Sequence, residues 1–171
     1  MSQVLRAFLG ASAACLWVSA TQPVMAQHKI ARVKSDPLQV AQGRYLVKVA
    51  GCNDCHTAGY AVTGGKIPES QWLTGDTLGW RGPWGTTYAV NLRLYMSSLT
   101  QDQWVHFARN MRSRPPMPWW LLHDMNQKDL EALYAYVKWL GPAGEPAPDY
   151  VPPEQDPVGP VVQFPAPPRK N

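Results

Sequence analysis

The sequence has few cysteines, no apolar run long enough to cross a membrane and no run of basic residues. Its 171 residues include only three cysteines, too few for the disulfide framework of a cysteine-rich secreted domain. The longest uncharged, largely apolar stretch is residues 7–20, which is shorter than the ~20 residues of a membrane span. The basic residues are scattered and are not interleaved with aromatic ones, so nothing indicates nucleic-acid binding.

The first 26 residues have the features of a secretory signal peptide. Arg6 provides a basic start, residues 7–20 provide the apolar core, and Ala26 ends a run of small residues at the expected cleavage position. Cys15 raises the alternative of a lipidated mature terminus. Because the apolar run continues past it to Val18, lipidation is not expected. The signal peptide predicts a periplasmic protein.

One short motif carries most of the chemical information. Cys52 and Cys55 stand three residues apart and His56 follows at once, which is the spacing used for covalent attachment of a c-type haem. Each thiol can add to one haem vinyl group, and His56 would then supply the proximal ligand of the iron. No second Cys-x-x-Cys occurs, so we expect one haem c and no iron–sulfur cluster.

Two other uses of the cysteine pair stay open. A zinc site would need two further ligands, and the remaining histidines (His28, His106 and His123) show no paired spacing. A thioredoxin-like redox pair would be expected in a βαβ context, for which the sequence gives no pattern. A redox dithiol or a plain disulfide is nevertheless compatible with an exported protein.

The composition divides the chain into a signal peptide (1–26), a flexible lead-in (27–37), a haem domain (38–141) and a proline-rich extended tail (142–171). The tail holds ten of the chain's 17 prolines, which argue against a helix or a central strand there. Residues 57–99 are rich in Gly, Thr and Trp without helical periodicity. We therefore interpret them as a long loop region that wraps the cofactor.

Three helices are predicted from periodicity and capping signals. The first covers residues 38–50 and leads into the cysteine motif. The second opens with a capping box at Thr100 and Gln103 and ends near Ser113. The third follows the cap residue Asn126 and ends at Gly141. Together they predict an all-α fold with three main helices and long loops around one haem.

Several side chains after the motif could be the distal ligand of the iron. Four methionines compete: Met96, Met111, Met117 and Met125. Met117 differs from the others because Pro115, Pro116 and Pro118 restrict the backbone on both sides of it. A rigid segment can present one side chain at low entropic cost. A histidine pair using His106 or His123 is the alternative.

An ordered set of segments resembles bacterial class I c-type cytochromes, in particular the haem domains of cytochrome subunits that serve periplasmic dehydrogenases. The matching segments are residues 43–46, 51–57, 72–75, 84–88 with 91–92, 116–118 and 129–136. The resemblance covers about residues 38–141. It implies that His56 is the proximal ligand and Met117 the distal one.

The resemblance also implies roles for residues around the haem. The carbonyl of Pro68 would accept the ring N–H of His56 and fix its tautomer. Trp84, Asn91 and Arg93 would contact the haem propionates. Gly43 would allow the first and last helices to cross, against Tyr134 or Tyr136.

The function implied is electron transfer by an exported monohaem cytochrome and not enzymatic catalysis, because a His/Met-ligated iron has no open position for a substrate. Its partners would be redox proteins, such as a periplasmic dehydrogenase as donor or a terminal oxidase as acceptor. Arg109, Arg112 and Arg114 could steer an acidic partner. The alternatives are a haem enzyme or gas sensor with an open distal site, and an electron-transfer subunit docked to a dehydrogenase through its tail.

Overall fold

The structure, a computed structural model, describes residues 36–165. The predicted signal peptide, Cys15, His28 and the last six residues of the tail lie outside this range. Six α-helices and three short strands are assigned within it. The helices are α1 (Pro37–Val49), α2 (Cys52–His56), α3 (Leu92–Ser97), α4 (Gln101–Asn110), α5 (Trp120–Asp124) and α6 (Gln127–Leu140), and the strands are β1 (Gly79–Gly82), β2 (Gly85–Tyr88) and β3 (Val161–Gln163).

The three longest helices lie where the periodicity and caps predict them. The Asp36 carboxylate accepts the Leu38 N–H at the start of α1. Thr100 and Gln103 form the complete capping box of α4, and the Asn126 side chain caps α6. The second helix ends three residues earlier than the predicted Ser113, at Asn110. None of the helices within residues 36–165 combines the length and the apolar character needed to cross a membrane.

The prediction of an all-α fold is wrong, because a three-stranded mixed sheet with the order β2-β1-β3 accompanies the helices. Strands β1 and β2 form an antiparallel hairpin within the stretch that the sequence suggested to be loop. The strands are four residues each, too short and too rich in glycine to show a clear alternating pattern.

The third strand comes from the proline-rich tail and pairs with β1 in parallel. Its prolines do not prevent this, because Pro160 precedes β3 and Pro165 follows it, and β3 is an edge strand. The tail continues to contact the hairpin elsewhere. Phe164 donates its N–H to the Arg81 carbonyl at 2.7 Å, and its ring stacks on Trp80.

The first and last long helices cross at Gly43, where no side chain separates them. A Cβ built on Gly43 would collide with the Ala132 carbonyl oxygen and lie 2.6 Å from the Tyr136 Cβ. Beside this crossing, the Trp104 indole N–H donates to the Leu130 carbonyl at 2.8 Å and so ties α4 to α6. The buried core around these contacts includes Val47, Leu73, Met96, Leu133 and Val137.

Candidate cofactor site

The cysteine motif forms its own short helix, α2, directly after α1. Gly51 starts it with a φ of 71°, a left-handed conformation that glycine adopts without a steric penalty. The left-handed Gly51 thus separates α2 from α1. Cys52 and Cys55 are both free thiols, and both residues line the cavity described below.

Hydrogen bonds fix α2 against the following loop. The Thr57 hydroxyl donates to Asn53 Oδ1 at 2.8 Å and accepts the Leu73 N–H at 2.8 Å. The Gly75 N–H donates to the His56 carbonyl at 2.8 Å. Because Asn53, Thr57 and Leu73 are almost fully buried, these buried hydrogen bonds set the position of the motif, although the Asn53 amide nitrogen itself has no partner among the described residues.

The His56 ring is buried and oriented by the backbone. Its Nδ1 lies 2.8 Å from the Val90 carbonyl oxygen. A carbonyl can only accept, so Nδ1 carries the proton and Nε2 keeps its lone pair. Burial lowers the pKa of His56, while the hydrogen bond to Val90 acts in the opposite direction. The ring is therefore neutral near neutral pH, as a metal ligand must be.

The structure does not give Pro68 the role that the resemblance implies. The acceptor of the His56 ring N–H is Val90, while the Pro68 carbonyl accepts the Gln71 N–H at 2.9 Å. That bond closes the short 3₁₀ turn Glu69–Gln71, which occupies the Pro68 carbonyl with a local partner. Val90 could not be selected from the sequence, because a backbone carbonyl carries no residue-type signal.

A cavity of about 520 Å³ opens beside the motif and is lined by Cys52, Cys55 and His56. Its volume falls within the ~300–1,000 Å³ of cofactor and ligand sites. Most of its wall is apolar, and its apolar residues include Val47, Leu73, Trp80, Leu92, Trp104, Phe107, Leu122, Leu133 and Val137. Such a wall can enclose a flat, largely apolar cofactor and exclude water from it.

All four candidate methionines, Met96, Met111, Met117 and Met125, line this cavity. The alternative histidines do not line it. His123 is engaged elsewhere, with its Nε2 2.9 Å from the Met111 carbonyl oxygen. The fold therefore brings the cysteine pair, His56 and the four methionines into the lining of one cavity.

The residues proposed as propionate partners lie outside the cavity lining. The Trp84 indole N–H donates to the Trp80 carbonyl at 3.3 Å. Asn91 caps α3, and its amide nitrogen donates to the carbonyls of Ala143 and Glu145. Trp84 thus forms its hydrogen bond within the hairpin, and Asn91 forms its hydrogen bonds with the start of the tail.

Arg93 is likewise committed to the protein backbone. Its guanidinium donates to the carbonyls of Ser70, Leu140 and Gly141, so it completes the end of α6.

The cationic groups that do line the cavity are Arg112 and Arg114, which the sequence singles out only as part of a basic cluster. A guanidinium is the side chain best suited to pair with carboxylates such as haem propionates.

The pKa values of the two half-buried thiols differ from those of a reactive redox pair. Burial raises the pKa of Cys52 to about 11 and also raises the pKa of Cys55. Redox-active cysteine pairs have a lowered pKa, which makes the attacking thiolate available. The two cysteines, the neutral His56, the cavity methionines and the apolar wall all fit a covalently attached haem.

Within residues 36–165, no three His, Cys, Asp or Glu side chains converge so as to hold a metal ion by themselves. Comparisons of the chain with models of known protein families, with curated proteins and with solved structures found no match. The functional interpretation therefore depends on the motif and on the cavity beside it.

Proposed function

We propose that the protein is an exported monohaem c-type cytochrome that carries electrons between redox proteins. The observation that carries this proposal is the single cavity wall formed by Cys52, Cys55, His56 and Met117. Cys52 and Cys55 would hold the haem covalently, and His56 and Met117 would be its axial ligands. When bound, the haem supplies a one-electron Fe(III)/Fe(II) couple.

The side chains of the chain would set the properties of that couple. His56 is held as the tautomer with a free Nε2 by Val90, which also increases its basicity as a ligand. A thioether as the second ligand favours the reduced iron and raises the reduction potential relative to a pair of histidines. The apolar wall would keep water from the iron. With His56 and Met117 both bound to the iron, no position would be left for a substrate, and electron transfer is the activity that these residues would support.

Met117 is the proposed distal ligand among the four cavity methionines because its backbone is the most restricted. Pro116 and Pro118 flank it, which lowers the entropic cost of presenting its sulfur at one position. Met96 instead is 2% exposed within the hydrophobic core, as expected for a packing residue.

The test uses the purified holoprotein and four Met→Leu variants. Met117→Leu should lose the weak red absorption band of a thioether bound to ferric iron. Met96→Leu, Met111→Leu and Met125→Leu are the matched controls, because each also removes a methionine that lines the cavity. These three variants should keep the band, because Met117 is still present. Loss of the band in another variant would transfer the ligand role to that residue.

The same samples test the other functional classes. A wild-type protein with high-spin ferric iron and rapid binding of carbon monoxide would contradict the proposal. It would favour a haem enzyme or gas sensor with an open distal site. Absence of a covalent haem after denaturation in acid acetone would remove the proposal altogether.

The location and the partners form part of the proposal. An exported cytochrome would receive electrons from a redox protein, such as a periplasmic dehydrogenase, and donate them to another, such as a terminal oxidase. Arg112 and Arg114 line the cavity and are exposed, so an acidic partner would be attracted to this side. The second-order rate with such a partner should therefore fall as ionic strength rises.

A further inference from the structure

The residues just before Met117 are anchored by two side chains from distant parts of the chain. We call residues 114–118 the Met117 segment. The Thr87 hydroxyl donates to the Pro115 carbonyl at 2.8 Å. The Arg114 guanidinium lies 3.8 Å from the centre of the Tyr150 ring, a distance at which a cation is attracted to an aromatic face. Both anchors act within three residues of Met117.

Both anchoring residues are themselves fixed to the β1–β2 hairpin. Thr87 lies in β2 and pairs with Trp80 of β1. The Tyr150 hydroxyl donates to the Trp84 carbonyl in the hairpin turn at 2.8 Å. The neighbouring Val151 exchanges two backbone hydrogen bonds with Thr86, of 2.7 and 3.0 Å. The hairpin and the tail thus form one support for the Met117 segment.

The segment needs an external support because its own backbone can form few hydrogen bonds. Pro115, Pro116 and Pro118 have no N–H to donate. The bonds from the Trp119 N–H to the Met117 carbonyl, at 2.9 Å, and from the Leu121 N–H to the Pro118 carbonyl, at 3.1 Å, join the segment only to α5, the helix that follows it directly in the chain. Proline restricts the shape of the segment, but only contacts with other elements can fix where it lies.

We propose that Thr87 and Tyr150 are positioning residues for the distal ligand. They hold the Met117 segment at a fixed place relative to the cavity, so that the sulfur stays at the iron. This inference rests on the proposed function, in which Met117 is an axial ligand. It also gives the tail an intramolecular role, since Tyr150 belongs to it.

Loss of one anchor should weaken the hold on Met117 without removing the sulfur. A hydrogen bond of ordinary strength corresponds to roughly a 2- to 10-fold change in an equilibrium. External ligands such as imidazole should therefore bind the ferric protein about 2 to 10 times more tightly in Thr87→Val. The reduction potential should fall, because a thioether binds ferric iron more weakly than ferrous iron and a loosened Met117 would therefore be released mainly in the oxidised protein.

The test compares wild type with Thr87→Val, Thr87→Ser and Tyr150→Leu as holoproteins. The matched control is Thr63→Val, because Thr63 also donates to a backbone carbonyl, that of Gly59 at 2.9 Å, and does not line the cavity. Thr87→Val and Tyr150→Leu should each increase imidazole affinity and lower the potential. Thr87→Ser, which keeps the hydroxyl, should behave like wild type.

The outcomes separate this inference from the function on which it rests. Suppose that the wild type shows the sulfur band. The inference alone would then be overturned if Thr87→Val and Tyr150→Leu had the same imidazole affinity and reduction potential as Thr63→Val. A wild type without the sulfur band would overturn the ligand assignment and the inference with it. Tyr150→Leu leaves every strand hydrogen bond in place and so tests the second anchor if Thr87→Val folds poorly.

Discussion

The Nδ1 atom of His56 lies 2.8 Å from the carbonyl oxygen of Val90. His56 is 8% exposed, and this bond joins the motif helix to the loop just before α3. Because the carbonyl is only an acceptor, the ring proton must be on Nδ1. Burial lowers the pKa of His56, which keeps the ring neutral. This hydrogen bond therefore leaves Nε2 of His56 as the nitrogen that can bind a metal.

The first prediction concerns the tautomers of two histidines. His56 should carry its ring proton on Nδ1, whereas His123, whose Nε2 lies 2.9 Å from the Met111 carbonyl oxygen, should carry a proton on Nε2. Nitrogen-15 NMR of the reduced, histidine-labelled holoprotein can distinguish the two tautomers, and His123→Gln identifies which of the signals from the four histidines belongs to His123. An unprotonated Nδ1 on His56 would contradict the orientation given by Val90.

The second prediction assigns Arg93 to stability and not to cofactor binding. Arg93→Met leaves the carbonyls of Ser70, Leu140 and Gly141 without their charged donor, so the free energy of unfolding should fall by about 2–3 kcal/mol. Urea unfolding of the holoprotein measures this, and the visible spectrum should not change.

The exposed Arg109 provides the control for that substitution, since it lies on α4 outside the cavity lining. Arg109→Met should change stability by less than about 0.5 kcal/mol. If Arg93→Met instead altered the visible spectrum and left the free energy of unfolding unchanged, the result would indicate that Arg93 contacts the cofactor.

The sequence predicts those features whose signals are local. The caps at Asp36, Thr100 and Asn126 and the apolar periodicity after them are sufficient to place α1, α4 and α6. The cysteine motif needs only five consecutive residues. A cap is a hydrogen bond between residues at one end of a helix, and the apolar periodicity places residues on one face of that helix. Each signal can therefore be found within a short stretch of sequence.

The remaining features depend on contacts between residues far apart in the chain. Strand β3 pairs with β1 across about eighty residues, and neither strand is long enough to show its own pattern. Val90 acts through its backbone, and the partners of Arg93 are carbonyls, so residue type indicates neither role. The resemblance implies that Arg93 is a propionate partner, because it matches a position in the sequence and does not show which groups contact the side chain.

The third prediction tests the crossing of α1 and α6. In Gly43→Ala the new methyl group would collide with the Ala132 carbonyl and the Tyr136 side chain, so the helices must separate. We expect a loss of about 3 kcal/mol in the free energy of unfolding. The neighbouring Gln42→Ala removes only a long hydrogen bond, of 3.4 Å, from an exposed side chain to Asp129, and should cost less than about 1 kcal/mol. Equal effects of the two substitutions would show that the crossing tolerates a side chain.

The last prediction concerns the pH dependence of the contact between α1, the 3₁₀ turn and α6. The Glu69 carboxylate accepts hydrogen bonds from Arg44 at 2.6 Å and from the Tyr136 hydroxyl at 2.7 Å. Burial alone would raise the pKa of Glu69, but these hydrogen bonds and the charge of Arg44 lower it below its ordinary value of 4.5. The ionised carboxylate therefore stabilises the folded state.

A carboxyl group with a lowered pKa contributes its full stabilisation above the unfolded-state pKa and loses it as pH falls through the folded-state pKa. Glu69→Gln should thus lower the free energy of unfolding by about 1 kcal/mol near neutral pH, a modest value because the Arg44 side chain is 48% exposed. The difference from wild type should shrink as pH falls below 4.5. Urea unfolding across this range measures it, with the exposed Glu145→Gln as control, and a difference that stays constant down to about pH 3 would exclude Glu69 as its source.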